Sequence, residues 1–178
     1  SGNIPGGDAI EKHIQGTYKS AKARACILPA RSVGVQGDGR TYRHPVALFT
    51  DCRDWDILEH ISTSITNRFH TVNRVLLALK GDFGDFNLRT CFIERERAAL
   101  LQKADDLVSR AMADAPEDYG IWQFPVVLAP VSTEAGSESI VLRPIVSTEA
   151  MTASFARVDW PVVEGVAQKL GALAGVTH

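Results

Sequence analysis

The stretch Leu28-Pro29-Ala30-Arg31-Ser32-Val33-Gly34-Val35-Gln36-Gly37-Asp38-Gly39-Arg40-Thr41-Tyr42 decides the fold. Two strand-forming runs, residues 32–36 and 40–49, flank Gly37-Asp38-Gly39. Glycine and aspartate tolerate the positive φ of a tight turn, so the stretch reads as a β-hairpin. Its glycines look superficially like a phosphate loop. No Gly-Lys-Ser/Thr follows, which speaks against a Walker motif. Strand-like Arg40-Thr41-Tyr42 stands where a dinucleotide fingerprint needs a helix, so turn glycines explain the pattern better.

Helical periodicity begins just beyond the hairpin. Asp54 is placed to cap a helix whose Ile57, Leu58, Ile61, Ile65 and Phe69 share one face. Residues 72–79 read as a strand apolar enough to be buried on both faces, and residues 81–87 break the pattern. The longest helix spans residues 94–112. Leu100, Leu101, Ala104, Leu107, Val108 and Ala111 form its apolar side, and its charged side reads as solvated. Residues 115–120 form a loop. Residues 124–130 and 139–147 are strands joined by a polar connector. Asp159 then repeats the part of Asp54, with Pro161 in the first turn and Val162, Val163, Val166, Leu170 and Leu173 on one face. Residues 1–23 read as a flexible lead-in with a short helix near residues 9–18.

These elements repeat. Leu28-Pro29 answers to Ala129-Pro130, Asp54-Trp55 to Asp159-Trp160, and Val72-Asn73-Arg74 to Val176-Thr177-His178, each at a spacing of about 100 residues. The expected fold class is therefore α+β, in two layers. It has duplicated β-β-α-β units, antiparallel sheets packed against helices, and a long connector helix between the units. The first unit covers residues 24–80, the insertion with the long helix 81–120, and the second unit 121–178. The second unit is expected to be incomplete at its C-terminus, because its third strand would start where the chain stops.

Composition narrows the function. The chain has 178 residues, 45% hydrophobic and 22% charged, with a formal net charge of −2. Such a balance argues against a strongly basic nucleic-acid binder. No apolar run reaches the length of a membrane span, so a membrane partner is not expected. Cys26, Cys52 and Cys91 are odd in number and widely spaced, which fits reduced thiols and neither a disulfide framework nor a zinc site.

Few residues carry chemistry on their own. Arg40, at the end of the turn beside Arg43 and His44, can form paired charge-assisted hydrogen bonds to a phosphate or carboxylate, or stand solvated. Gln123, between Trp122 and Phe124, could read the edge of a base, although an edge-strand polar residue is the simpler reading from chemistry alone. His44, His60 and His70 are not at metal spacing, and Asp51, Asp54 and Asp56 are explained by helix capping and the helix dipole. No nucleophile motif is present, so neither a catalytic residue nor a metal ligand is assigned.

The hairpin motif closely resembles the start of the C-terminal dimerisation domain of the glutamine-hydrolysing GMP synthase family. The segment Val72-Asn73-Arg74-Val75, the run from Phe124 to Pro130 and Ser147-Thr148-Glu149-Ala150-Met151-Thr152-Ala153 are also similar to that family. The insertion resembles its longer, doubled form. The resemblance covers residues 24–178 and implies a job. In the family, an amidotransferase domain releases ammonia from glutamine. An ATP-pyrophosphatase domain adenylates xanthosine monophosphate (XMP) with ATP and magnesium, and ammonia displaces AMP to give GMP. The C-terminal domain forms the homodimer and contributes to the XMP site.

By this resemblance Arg40 matches the motif arginine that reaches the 5′-phosphate of the nucleotide on the partner subunit. Gln123 matches a nucleotide-contacting glutamine of the doubled form. The implied setting is purine biosynthesis in the cytoplasm, with no cofactor held by this chain. The family's closing tail, which brings a lysine and a glutamate to the nucleotide, has no counterpart before residue 178. The chain alone is therefore expected to make no GMP. A stand-alone dimerisation or nucleotide-binding module related to this domain is the competing reading; an upstream ATP-binding domain in the same reading frame would exclude it.

Overall fold

The computed structural model describes residues 4–18, 22–36, 39–148 and 153–178. The chain is α+β, as the sequence pattern implies. The first unit is built on four strands: β1 (Ala23–Ile27), β2 (Ser32–Gln36), β3 (Gly39–Thr50) and β4 (Val72–Leu77). The long β3 is the spine. Its first half pairs antiparallel with β2, and its second half pairs antiparallel with β1. The other edge of β3 pairs with β4, and this pairing is parallel, unlike the antiparallel pairing expected throughout. The reason is the connection: helix α2 (Trp55–Arg68) carries the chain back along the sheet, so β4 starts at the same end as β3.

Two helices cover one face of this sheet. Asp54 caps α2 as its position implies, Oδ1 accepting from the N–H groups of Asp56 and Ile57 at 2.9 and 3.1 Å. Leu58, Ile61 and Ile65 of α2 pack on Val46, Leu48 and Val72. The second cover is α1 (Gly7–Thr17), where a short helix is expected near residues 9–18; it is packed into the core and is not a flexible lead-in. Ile10 and Ile14 are fully buried in the same core. Gly7 allows the approach: a Cβ there would lie 2.4 Å from the carbonyl oxygen of Ala25. The opposite face is covered in part by Phe86 and Val131, against Cys26 and Ala47. Beyond Val72, β4 is only half-buried, and its expected double burial is not met.

The insertion contributes β5 (Asn87–Leu88) and α3 (Arg95–Ala113). The second unit contains β6 (Val126–Ala129), β7 (Val131–Ser132), β8 (Ser139–Leu142), β9 (Ile145–Ser147), β10 (Ala153–Phe155) and α4 (Trp160–Gly171). The strand expected over 139–147 is thus interrupted at Arg143-Pro144. A proline ring removes a ladder donor, which breaks such a run. β6 and β8 pair as an antiparallel hairpin, and α3 and α4 cover it through Ala104, Val108, Val166 and Leu170. Asp159 occupies the N-cap position of α4 but makes no side-chain capping bond, so it repeats Asp54 in place and not in hydrogen bonding.

After α4, Val176 forms a parallel bridge with Glu138, and the N–H of Ile140 donates to His178 O at 2.8 Å. The chain therefore returns parallel to β8, as β4 returns parallel to β3. The units are tied at their helix starts. Trp55 Nε1 donates to Val158 O, Arg53 pairs with Glu164, and Arg157 reaches Asp56 and Glu59. No helix among the described residues is long and apolar enough to cross a membrane.

Candidate functional site

The hairpin of β2 and β3 is braced from β4. Asn73 Nδ2 donates to Ser32 O at 2.7 Å, and Ser32 Oγ donates to Asn73 Oδ1 at 2.6 Å. Arg74 Nη2 donates to Val33 O at 3.0 Å. Gly34 makes room for this clamp: a Cβ there would lie 3.0 Å from Asn73 Nδ2 and 3.1 Å from Thr41 Oγ1. His44 Nδ1 lies 2.6 Å from Ala30 O and 3.1 Å from Leu28 O, which ties the preceding loop to β3. The sequence features quoted around this hairpin are thus one mechanical unit. Its product is a held strand end.

Arg40 lies two residues further along the hairpin, toward the turn: the brace meets Ser32 and Val33, which pair with Arg43 and Tyr42. Arg40 is exposed on β3, in register with Val35, and Tyr42 two residues on is exposed too. The turn residues Gly37 and Asp38 lie outside the described residues. So do Glu149, Ala150, Met151 and Thr152 of the second quoted motif. Gln123 is exposed beside the exposed Trp122. Its backbone forms a bridge with Ile145, accepting from Ile145 N at 2.8 Å. Among the described residues, no hydrogen bond joins Arg40 to Gln123.

The two units line a partly open cavity of about 580 Å³. Its walls are Ala47 and Leu76 of the first sheet, Val127 and Leu142 of the second, and Val166 and Leu170 of α4. Neither Arg40 nor Gln123 lines it. Sequence reasoning missed this space because its walls come from distant segments that no local motif connects.

Electrostatics single out two further places. Glu138 is 3% exposed and accepts hydrogen bonds from Arg97 and Arg89. Burial alone would push its carboxyl up; the two guanidiniums outweigh burial and hold it below the usual carboxylate range. Arg97 therefore departs from the solvated face expected of α3. Burial pushes the Cys26 thiol up to about 12. Among the described residues, no group of three or more His, Cys, Asp or Glu converges as a metal centre.

The geometry defines an α+β fold that presents an arginine on a hairpin. The family model for the GMP synthase C terminal domain matches residues 10–81, the segment that holds α1, the hairpin, α2 and β4. A probable glutamine-hydrolyzing GMP synthase of Leptospira interrogans is 38% identical over 143 residues, 79% of this chain and 24% of the relative. One of Caenorhabditis elegans is 36% identical over 149 residues, 72% of this chain and 20% of the relative. The GMP synthase of Corynebacterium jeikeium is 53% identical over 62 residues. Residues 10–81 match the GMP synthase C terminal domain, and the similarity to GMP synthases extends over most of the chain. The chain spans 24% or less of the length of these curated relatives.

Proposed function

We propose that this chain is the dimerisation and XMP-binding region of a glutamine-hydrolysing GMP synthase. That ligase converts XMP, ATP and glutamine to GMP, AMP, diphosphate and glutamate. The observation that carries the reading is the exposed Arg40 on a hairpin braced by Asn73 and Arg74, inside the segment that matches the family. An exposed guanidinium suits a phosphate, because its planar fork can make paired hydrogen bonds.

In this reading Arg40 neutralises the 5′-phosphate of XMP bound to the second subunit of a homodimer. Gln123, exposed on the second unit, donates and accepts at the edge of the nucleotide. These residues bind and orient. The bond-making steps belong to the amidotransferase and ATP-pyrophosphatase domains of the same enzyme, which bring ATP and magnesium, in the cytoplasm. This chain by itself makes no GMP. The reading is supported by the two presented side chains and by the names of the relatives.

Sedimentation velocity and calorimetric titration test it together. A dimeric mass at micromolar concentration, with XMP binding more tightly than xanthosine, is the expected result. A strictly monomeric chain, or one that binds both ligands equally, would overturn the reading.

A further inference from the structure

We propose that the cavity between the two units is a separate binding site for a small organic anion, one with an apolar body and an anionic head held by Arg74 and Arg143. A cavity of about 580 Å³ is large enough for a whole small molecule, since such sites commonly enclose about 300–1,000 Å³. Most of its wall is hydrocarbon. Its charged lining is one-sided: Arg31, Arg74, Lys80 and Arg143 contribute, and among the described residues no Asp or Glu does. The chain as a whole carries a net charge of −2, so this concentration of positive charge is local.

Arg74 is the clearest sign of a missing counter-charge. It is partly buried, and Nη2 is used on Val33 O at 3.0 Å. Its Nε is buried with no hydrogen-bond partner among the described residues. A buried donor left in this way is costly unless something accepts from it. No ion pair among the described residues engages Arg74 or Arg143. Burial and the like charge of Arg143 both push the Arg74 pKa down, so the two guanidiniums feel each other. An anion between them turns that repulsion into two charge-assisted contacts. Its apolar body then occupies the hydrocarbon part of the cavity. Neither Arg40 nor Gln123 lines this space, and Arg143, which takes no part in the hairpin brace, allows the site to be tested apart from XMP binding.

The test uses a probe that has the proposed chemistry, anilinonaphthalenesulfonate, and its neutral analogue phenylnaphthylamine. Each is titrated by fluorescence into the wild-type chain, Arg143→Met, Arg74→Met and the cavity-filling Ala129→Phe, with a thermal melt confirming that each variant folds. The sulfonate is expected to bind the wild type saturably, with one site. It should bind at least about tenfold more weakly when either arginine is replaced, given the worth of a hydrogen bond to a charged group. Ala129→Phe should weaken both probes, and the neutral probe should ignore the arginine changes. If Arg74→Met does not fold, Arg143→Met decides. Absence of saturable binding to the wild type, unchanged sulfonate affinity in folded Arg143→Met, or unchanged affinity in folded Ala129→Phe would each overturn the proposal.

Discussion

Trp55 and Trp160 stack face to face, with ring centroids 4.2 Å apart and planes 15° from parallel. They are the first residues of α2 and α4, so the Asp-Trp pairs that mark the repeat in sequence meet in space. Arg53 lies over the Trp160 ring at 5.0 Å, and Phe155 packs on Trp55. The stack therefore joins the units at equivalent positions. In a double-mutant cycle of Trp55→Leu and Trp160→Leu, measured by urea unfolding, the pair should show a coupling of about 0.5–1.5 kcal/mol. Strict additivity would mean that the two rings contribute to stability separately.

Helix α1 should be part of the cooperative fold. Ile14→Ala removes a fully buried side chain from the first core. A loss of about 2–5 kcal/mol in unfolding free energy is expected from the removed burial and the cavity left behind. An unchanged midpoint would show that α1 does not contribute to the core.

Glu138 makes stability depend on acid. Its folded pKa is lowered, so its contribution is fully present above the ordinary value of 4.5 and is lost as pH falls through the lower folded value. Removing this charge from between Arg89 and Arg97 takes away the acceptor of both guanidiniums, which are partly exposed and can turn to water. Glu138→Gln should therefore cost about 1.5–3 kcal/mol at neutral pH, the worth of a hydrogen bond to a charged group. The variant should also lose part of the wild type's pH dependence below 4.5. Parallel stability curves for the two proteins in acid would contradict this account.

Cys26 should be inert. It is 3% exposed and its pKa is pushed up to about 12 by burial, so almost no thiolate forms at neutral pH. Iodoacetamide under native conditions should label Cys52 and Cys91, both partly exposed, and leave Cys26 unmodified until the chain unfolds. Peptide mass mapping reads the result directly.

Much of this fold was legible because local signals agreed with tertiary packing. Asp54 followed by Ile57, Leu58, Ile61 and Ile65 announces a capped amphipathic helix, and the structure uses the cap and buries three of those four side chains. The hairpin was legible from its turn residues. Other features depend on partners far away in sequence. The burial of α1 is not legible in its sequence: Gly6, Gly7 and Gly16 depress helix propensity, while Gly7 is needed for contact with Ala25. The parallel pairing of β4 follows from how α2 packs, which residues 72–79 do not encode. Arg40 stands out by its place beside the turn, whereas the clamp of Asn73 and Arg74 that steadies its hairpin spans 41 residues.

The central claim is that Arg40 receives the nucleotide phosphate. Calorimetric titration of XMP and xanthosine into the wild-type chain and into Arg40→Ala tests it most directly, since the two ligands differ only in the phosphate. Arg40→Ala should weaken XMP binding by about 1.5–3 kcal/mol, the worth of a hydrogen bond to a charged group, and leave xanthosine binding unchanged. Equal XMP affinity in the two proteins, or an equal loss for XMP and xanthosine, would contradict the account.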